Sequence, residues 1–288
     1  EPGLSGDPDA ATGSGTVFFS GCTLRCCYCQ NGRISAGGQG KDITPRRLRE
    51  IFDELIAQGA HNIELVTPTH FLPWILPALE PKLPVPVVYN CGGYEKVDTL
   101  RQLEGKVDIY LPDLKYADGA LAKALSGAED YFPAACGAIR EMFRQVGLLE
   151  LDGDGIANKG IIIRHLVLPG SVDETRRVLK YIAENFPKNI TISLMSQYVP
   201  CYKAEKIPPL NRKLLRREYE RAVDYCLSLG LENAFIQKMD SAKIIFTSQE
   251  ISQNMVQSNK SIYGKPSSDH PKMLFIDIFC FFKFLYDS

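Results

Sequence analysis

The sequence predicts an α/β fold, a partial (β/α)6 barrel with parallel strands, followed by an irregular C-terminal extension. The first observation is that short apolar or β-branched runs alternate with helical stretches over residues 16–236, which favours a parallel sheet. The second is that six strand–helix units occur, whereas a closed barrel of this kind has eight. The third is that the runs are short and apolar, as buried parallel strands are.

The apolar runs define the predicted strands, and capping signals define the helices between them. The six strands are Thr16–Ser20, Asn62–Val66, Val85–Tyr89, Val107–Leu111, Gly160–Leu168 and Ile190–Met195. The clearest helix covers residues 44–58, because Thr44 can cap it, Pro45 suits its first position and Gly59 follows its end. Two further helices are predicted at Ser171–Phe186 and Asn211–Leu229.

Composition divides the chain into three parts. Residues 1–15 are a lead-in that opens at Glu1 without an initiator Met, so we expect an upstream portion to be missing. Residues 16–238 form the core domain, and residues 239–288 form an atypical tail. The apolar stretch Met273–Tyr286 is about 14 residues long, too short for a membrane span of ~20 residues. An appended strand or helix that packs on the barrel, or a mispredicted terminus, would account for it.

Net charge and cysteine content bound the class of protein. A formal net charge of −1 provides no excess of Lys and Arg, which argues against a nucleic-acid partner and against an anionic membrane surface. Nine cysteines without a secretory segment indicate reduced thiols, so we expect a cytoplasmic protein.

Three cysteines in one short segment are the strongest indication of function. Cys22, Cys26 and Cys29 have C-x3-C-x2-C spacing, which suits one iron–sulfur cluster. Three protein ligands leave one iron open for a substrate or cofactor. Cys27 adjoins Cys26 and is expected to point elsewhere and to pack as a small hydrophobe. A structural zinc site is the alternative, although no second cysteine pair or histidine pair completes four ligands.

Polar residues follow each predicted strand, and the carboxyl ends of parallel strands are where ligands bind. The segment of residues 22–29, called the cysteine loop below, follows the first strand. The later strands end at Thr67-Pro68-Thr69-His70, at Asn90-Cys91-Gly92-Gly93-Tyr94, at Asp113-Leu114-Lys115, at Arg164 and at Gln197-Tyr198. We therefore expect these side chains to meet at one edge of the sheet.

The cysteine motif, with Tyr28 before its last cysteine, resembles the signature of the radical S-adenosylmethionine (SAM) superfamily. Three further segments, residues 15–21, 113–115 and 164–170, resemble those of the branch related to pyruvate formate-lyase activating enzymes. Within that branch, the chain most resembles uncharacterised bacterial and archaeal iron–sulfur proteins. The resemblance covers about residues 1–238.

This resemblance implies an enzyme with an oxygen-sensitive [4Fe-4S] cluster on Cys22, Cys26 and Cys29, with SAM on the fourth iron. Reductive cleavage of SAM would give a 5′-deoxyadenosyl radical that abstracts a hydrogen atom, so no side chain beyond the cluster ligands need act as acid or base. It also implies an electron donor such as a flavodoxin or ferredoxin. Activation of a glycyl-radical enzyme, and thus a protein substrate, is one outcome; modification of a small molecule is another. The rival class is a non-catalytic cluster- or zinc-binding electron carrier or adaptor.

Ten residues are expected to contact SAM. Relatives carry Gly-Gly-Glu after the second strand where this chain has Thr67-Pro68-Thr69, whose oxygens can still accept from an ammonium. Asp113 and Lys115 are two apart and would share one face, as ligand contacts or as a structural ion pair. Arg164 is expected to point inward and His165 into the core, while His61 and His70 have no expected metal role. The full set is Tyr28, Gln30, Thr67, Thr69, Asn90, Gly92, Asp113, Lys115, Arg164 and Gln197.

Overall fold

In the part of the chain that the structure describes, seven parallel strands lie side by side in chain order. The structure is a computed structural model that describes residues 4, 13–231, 233–237 and 278–280. A short β5 pairs antiparallel with β6, and β9 pairs antiparallel with β1 at the sheet edge. The strands are β1 (Gly13–Phe18), β2 (Ala60–Val66), β3 (Val87–Cys91), β4 (Ile109–Pro112), β5 (Glu150–Leu151), β6 (Ala157–Leu166), β7 (Thr191–Met195), β8 (Ala234–Ile236) and β9 (Ile278–Cys280).

Helices connect successive parallel strands, which confirms the predicted α/β fold. They are α1 (Gly32–Ser35), α2 (Pro45–Ala57), α3 (Leu72–Ala78), α4 (Val97–Arg101), α5 (Gly119–Ser126), α6 (Tyr131–Val146), α7 (Val172–Asn185) and α8 (Arg216–Ser228). Helix α2 begins as its sequence predicts: the hydroxyl of Thr44 accepts a hydrogen bond from the backbone N–H of Arg47, and Pro45 is the first helical residue. No helix in the described part of the chain has the length and apolarity needed to cross a membrane.

Beyond shifts of element boundaries, such as a last helix that begins at Arg216 and not at Asn211, the structure differs from the sequence prediction in three places. A seventh parallel strand, β8, pairs with β7, although three residues are too few to give a periodic pattern. Helix α6 is 16 residues long and was not singled out from the sequence. Most of the predicted tail lies outside the described residues; within Met273–Tyr286, residues 278–280 form the strand that pairs with β1.

Side chains alternate between two faces of the sheet. The main core lies between the sheet and the helices and includes Tyr89, Tyr110 and Ile163. A smaller cluster on the opposite, concave face contains Leu4, Val88, Ile109, Leu111, Ala157 and Ile162. Since alternate residues share a face, Asn90, Asp113 and Arg164 continue this concave face toward the carboxyl ends of their strands. The register Val66–Asn90, Asn90–Leu111 and Asp113–Arg164 aligns these ends in space.

Candidate active site

The cysteine loop follows β1 at the carboxyl edge of the sheet. Cys22, Cys26 and Cys29 are partly exposed, whereas Cys27 is buried with 6% of its surface exposed. Cys27 packs in the main core, in line with the role expected from the sequence. The three thiols assigned as cluster ligands therefore lie where a ligand from solvent can reach them.

Two other segments hold this loop through backbone hydrogen bonds. The N–H groups of Arg25 and Cys27 donate to the carbonyls of Ser126 (3.0 Å) and Leu125 (2.8 Å), the last residues of α5. These carbonyls have no partner inside their own helix, so the loop satisfies them. On the other side, the N–H groups of Lys203 and Ala204 donate to the carbonyl of Cys27 at 3.0 and 2.9 Å. The loop is thus positioned by protein contacts alone.

Each of the three sulfur atoms has a hydrogen-bonding neighbour. The backbone N–H of Leu24 donates to Cys22 Sγ at 3.4 Å, and the Ser126 hydroxyl donates to Cys26 Sγ at 3.0 Å. The Ser35 hydroxyl lies 3.2 Å from Cys29 Sγ. Hydrogen bonds to thiolate sulfurs are a recurring feature of iron–sulfur sites.

Burial disfavours the thiolate form of these cysteines. It raises the pKa of Cys22 to about 11 and also raises the pKa of Cys26, which the nearby Lys115 ammonium and Ser126 partly oppose. Metal binding would drive deprotonation, because the thiolate is the ligand. In the described residues, no three Cys, His, Asp or Glu side chains are grouped to hold a single metal ion.

A charged network crosses the concave face beside the loop. Asp113 accepts from Lys115 Nζ at 2.5 Å and from Arg164 Nε at 2.8 Å. Arg164 also donates to Asn90 Oδ1 at 2.6 Å, and Asn90 donates to Glu64 Oε1 at 2.7 Å. Asp113 and Lys115 thus share one face, as their spacing predicts, and Arg164 points inward.

The network keeps its members charged despite their burial. Burial raises the pKa of Asp113, but the adjacent Arg164 and Lys115 outweigh it and hold that pKa below its usual value. Burial lowers the pKa of Lys115, but Asp113 and Cys26 outweigh it and raise that pKa above its usual value. The site therefore contains fixed charges of both signs, which suits a ligand that carries a carboxylate and an ammonium.

The three histidines in the described part of the chain take structural positions. His165 is 2% exposed, with Nδ1 at 2.6 Å from the Leu114 carbonyl and Nε2 at 3.0 Å from the Thr175 hydroxyl, so it is a satisfied core residue as predicted. His61 and His70 each bond a backbone carbonyl, of Leu4 and of Ser20.

Four of the remaining predicted SAM contacts lie in or near the cysteine loop, and the other two follow β2. Gln30 and Gln197 meet at the loop, where Gln30 Nε2 donates to the Gln197 carbonyl at 3.3 Å, and Gly92 lies near Leu24 and Lys115. Tyr28 is buried, with its hydroxyl 2.5 Å from that of Tyr116.

The two threonines after β2 are held by the protein itself. Thr69 hydrogen-bonds to Tyr89 (2.9 Å) and to the Glu95 carboxyl (2.8 Å). Thr67 has a φ of +59°, which is unfavourable for a β-branched residue and is often found at functional sites.

Several residues at the site were missed from the sequence. Glu64 joins Asn90 and Thr16, Ser126 reaches Cys26, and Glu95 reaches Thr69. Burial raises the pKa of Glu95 to about 7. Glu64 could have been noticed as an acid inside an apolar strand, but the others come from loops and a helix end far away in sequence.

Comparisons with known proteins bear on the cysteine loop and on the chain as a whole. Residues 11–67, which include the cysteine loop, match the family of the 4Fe-4S single cluster domain. An uncharacterised protein of Methanocaldococcus jannaschii is 31% identical over 230 residues, covering 76% of this chain and 63% of the relative. The chain thus spans less than two thirds of that relative's length.

Solved structures with the same fold have low sequence identity to this chain. Streptococcus suis SuiB bound to S-adenosylmethionine has a TM-score of 0.55 at 16% identity, covering 85% of this chain and 55% of SuiB. Methylornithine synthase has a TM-score of 0.52 at 17% identity, covering 80% and 65%. Native anSMEcpe with bound AdoMet and a peptide has a TM-score of 0.52 at 14% identity, covering 81% and 65%. These likenesses concern the fold, and they confirm the predicted α/β partial barrel.

Proposed function

We propose that this chain is a radical SAM enzyme that binds a [4Fe-4S] cluster through Cys22, Cys26 and Cys29. The observation that carries the proposal is that three partly exposed thiols share one loop at the carboxyl edge of a parallel partial barrel. The family match to a 4Fe-4S domain covers the same loop. Three protein ligands leave one iron for SAM.

The side chains of the site then have distinct tasks. Bound together, the cluster and SAM supply one-electron chemistry that removes a hydrogen atom from the substrate. Lys115 and Arg164 suit the carboxylate of SAM, and Asp113 suits its ammonium or ribose hydroxyls. Asn90, which already bonds Arg164, orients that guanidinium. The surrounding core limits the access of water.

The other predicted contacts are further candidates for the same site. Gln30 and Gln197 meet at the cysteine loop, Gly92 lies near Leu24 and Lys115, and Thr67 and Thr69 follow β2. Tyr28 would contribute through its backbone, since its hydroxyl is engaged with Tyr116.

The test is anaerobic reconstitution with iron and sulfide, followed by reduction with and without SAM. We expect the absorption of a [4Fe-4S] cluster, a change in its EPR spectrum on addition of SAM, and release of 5′-deoxyadenosine. A loaded cluster that neither responds to SAM nor yields this product would instead indicate the electron-carrier class.

A second experiment addresses the SAM contacts. Replacing Asp113 or Lys115 with Ala should weaken SAM binding by about ten- to a hundredfold, because a charge-assisted hydrogen bond contributes roughly 1.5–3 kcal/mol. Calorimetric titration measures this, and the cluster content of each variant should remain that of the parent. A lowered melting temperature with unchanged affinity would show that the pair is only structural.

For the substrate, we propose a protein or peptide, with activation of a glycyl-radical enzyme of the pyruvate formate-lyase kind as one form of the reaction. The support is that SuiB and anSMEcpe, which share the fold, were solved with peptides bound. Deuterium transfer from a labelled peptide into 5′-deoxyadenosine would test it. Label transfer only from a small molecule would exclude the peptide.

We propose that an acidic flavodoxin- or ferredoxin-like protein delivers the electron at a basic rim beside the cysteine loop. The rim consists of the exposed Arg25, Arg33, Lys203 and Lys206, with one exposed acid, Glu205. Tyr202 lies among them, is 44% exposed, and covers Gly32. A basic patch with an exposed aromatic ring suits an acidic partner.

Charge reversal tests this docking site. Lys203→Glu should slow reduction by the donor protein about tenfold at low salt, and less at high salt because added ions screen the interaction. The same change at Lys159, exposed near the amino end of β6, is the matched control. Equal rates for the two variants would exclude the rim, and reduction by dithionite should be the same in both.

A further inference from the structure

A chain of three hydroxyl groups leads from the protein interior to the sulfur of Cys26. The hydroxyl of Tyr28 lies 2.5 Å from that of Tyr116, and the hydroxyl of Tyr116 lies 2.7 Å from that of Ser126. Ser126 then donates to Cys26 Sγ at 3.0 Å. Tyr28, Tyr116 and Ser126 are buried, at 7%, 0% and 1% exposure.

The direction of this chain follows from counting hydroxyl protons. Ser126 has one proton and gives it to the sulfur, so Tyr116 must donate to Ser126. Tyr116 then has no proton left for Tyr28, so Tyr28 must donate to Tyr116. With this direction every hydroxyl proton of the chain is paired, and the last donor points at the Cys26 sulfur.

The fold builds this chain from three separate places. Tyr28 belongs to the cysteine loop, Tyr116 follows β4, and Ser126 is the last residue of α5. The backbone bonds of Arg25 and Cys27 to the end of α5 hold the loop against Ser126. Lys115, next to Tyr116 in sequence, places its ammonium near Cys26 as well.

We propose that Tyr28, Tyr116 and Ser126 form a hydrogen-bond relay that withdraws electron density from the Cys26 sulfur and thereby makes the bound cluster easier to reduce. They are positioning residues in this role, because each hydroxyl acts through the next and the hydroxyls need not touch SAM or the substrate. Hydrogen bonds to cluster sulfurs are an established means of setting reduction potential. This inference rests on the proposed function, because Cys26 must be a cluster ligand.

The experiment is a reductive titration of reconstituted protein, in which one electron converts the oxidised [4Fe-4S]2+ cluster to [4Fe-4S]1+, monitored by EPR. Ser126→Ala should lower the equilibrium constant for reduction about tenfold, which is about 59 mV for a one-electron couple. Tyr116→Phe should have a smaller effect, and Tyr28→Phe the smallest, because each lies one bond further from the sulfur. Ser126→Thr keeps the hydroxyl and should restore the parent value.

Tyr198→Phe is the control. Tyr198 is also buried and its ring lies 6.2 Å from that of Tyr28, but its hydroxyl bonds the Leu210 carbonyl and not the relay. Its titration should match the parent. If Ser126→Ala fails to load iron, the two Tyr→Phe variants decide the question.

Fully loaded variants with unchanged reduction, or an equal shift in Tyr198→Phe, would overturn the relay. A parent protein that loads no cluster would overturn the proposed function instead, so the two failures can be told apart.

Discussion

Two adjacent cysteines have opposite environments. Cys26 presents its sulfur to Ser126 near the sheet edge, while Cys27 turns into the main core. The backbone explains the separation, because both the N–H and the carbonyl of Cys27 are held by neighbouring segments. The residue type alone would not distinguish the two thiols, whereas their position in the loop does.

We expect Cys22→Ala, Cys26→Ala and Cys29→Ala each to abolish stable cluster loading, because each removes the thiolate for one iron. Cys27→Ala should load normally and lose only about 1 kcal/mol of stability, as expected for a small core truncation. Iron and sulfide analysis of the four reconstituted variants measures this. Normal loading of any of the first three would disprove the ligand assignment.

Glu95 is a buried carboxyl group that the chemistry of the site does not require. It is 6% exposed and accepts from Thr69, and burial raises its pKa from 4.5 to about 7. Because the folded pKa is the higher one, the folded state favours the protonated form. Glu95 therefore contributes most stability below pH 4.5, and this contribution is lost as the pH rises toward 7.

Glu95→Gln should remove this pH dependence, because the amide carries no charge and can still bond Thr69. Its stability relative to the parent should rise by up to about 3 kcal/mol between pH 4 and pH 8, at 1.36 kcal/mol per pKa unit. Urea unfolding at several pH values measures the free energy of unfolding of both proteins. Their difference isolates Glu95, because the other titrating groups are the same in both. Glu150→Gln, at an exposed position, is the control, and a constant difference would contradict the account.

Residues whose role depends on local pattern could be predicted, and residues whose role depends on distant contacts could not. The inward and outward directions of Arg164 and His165 follow from strand alternation. Ser126 and Tyr116 reach the cysteine loop across 100 and 88 residues of sequence, and no periodicity reports such contacts.

At the scale of elements, the loop after β3 is packed tightly against the end of β4. Gly93 has a φ of +80°, and a Cβ atom there would lie 2.1 Å from the carbonyl oxygen of Asp113. Tyr131 on α6 joins the two loops by bonding the carbonyls of Gly92 and Asp113. Asp113 is therefore positioned by its neighbouring elements as well as by its ion pairs.

Gly93→Ala and Gly105→Ala form a matched pair. Both positions have a positive φ, but a Cβ at Gly105 would meet no atom within 4 Å. Gly105→Ala should cost only the backbone strain, roughly 1–2 kcal/mol. Gly93→Ala should cost a further ~1–3 kcal/mol from overpacking and should also weaken SAM binding, because Asp113 must move. Equal unfolding midpoints for the two variants would contradict this.

The elements themselves show where sequence patterns are informative. Helix α2 was predicted to within one residue at each end, because its cap and first-turn proline are local signals. Predicted strands were displaced by up to three residues. The largest difference is at the start of β6, observed as Ala157–Leu166 and predicted as Gly160–Leu168, because its polar first residues pair with the short β5. Strand β8 is defined by its pairing with β7 and not by its own composition.

At the scale of the whole molecule, the site occupies one edge of the sheet while the core lies along its helical face. The concave face brings together two acids, Glu64 and Asp113, and two bases, Lys115 and Arg164. Two negative and two positive side chains sum to zero, so these four residues give the site no net charge. The main core includes Leu24, Cys27 and Tyr28 of the cysteine loop, and these packing contacts are made by protein side chains alone.

We therefore expect removal of iron by a chelator to leave the fold intact. Far-UV circular dichroism should be unchanged, because protein contacts hold the described fold. The melting temperature should fall, because a cluster that binds only the folded state stabilises it. The triple variant with Cys22, Cys26 and Cys29 replaced by Ala is the control, because it shows the effect of the chelator on a protein without cluster ligands. Cooperative unfolding on chelation would show that the cluster is needed for folding.

The anchoring of the cysteine loop has a consequence for damage and repair. Its backbone is held from one side by α5 and from the other by residues 203 and 204, and these bonds involve no thiol. Oxygen that destroys a cluster would then remove the cofactor but leave the backbone of the cysteine loop in its position. The empty protein could be refilled with iron and sulfide without refolding, so that oxidative inactivation of this chain would be reversible for as long as its cysteines stay reduced.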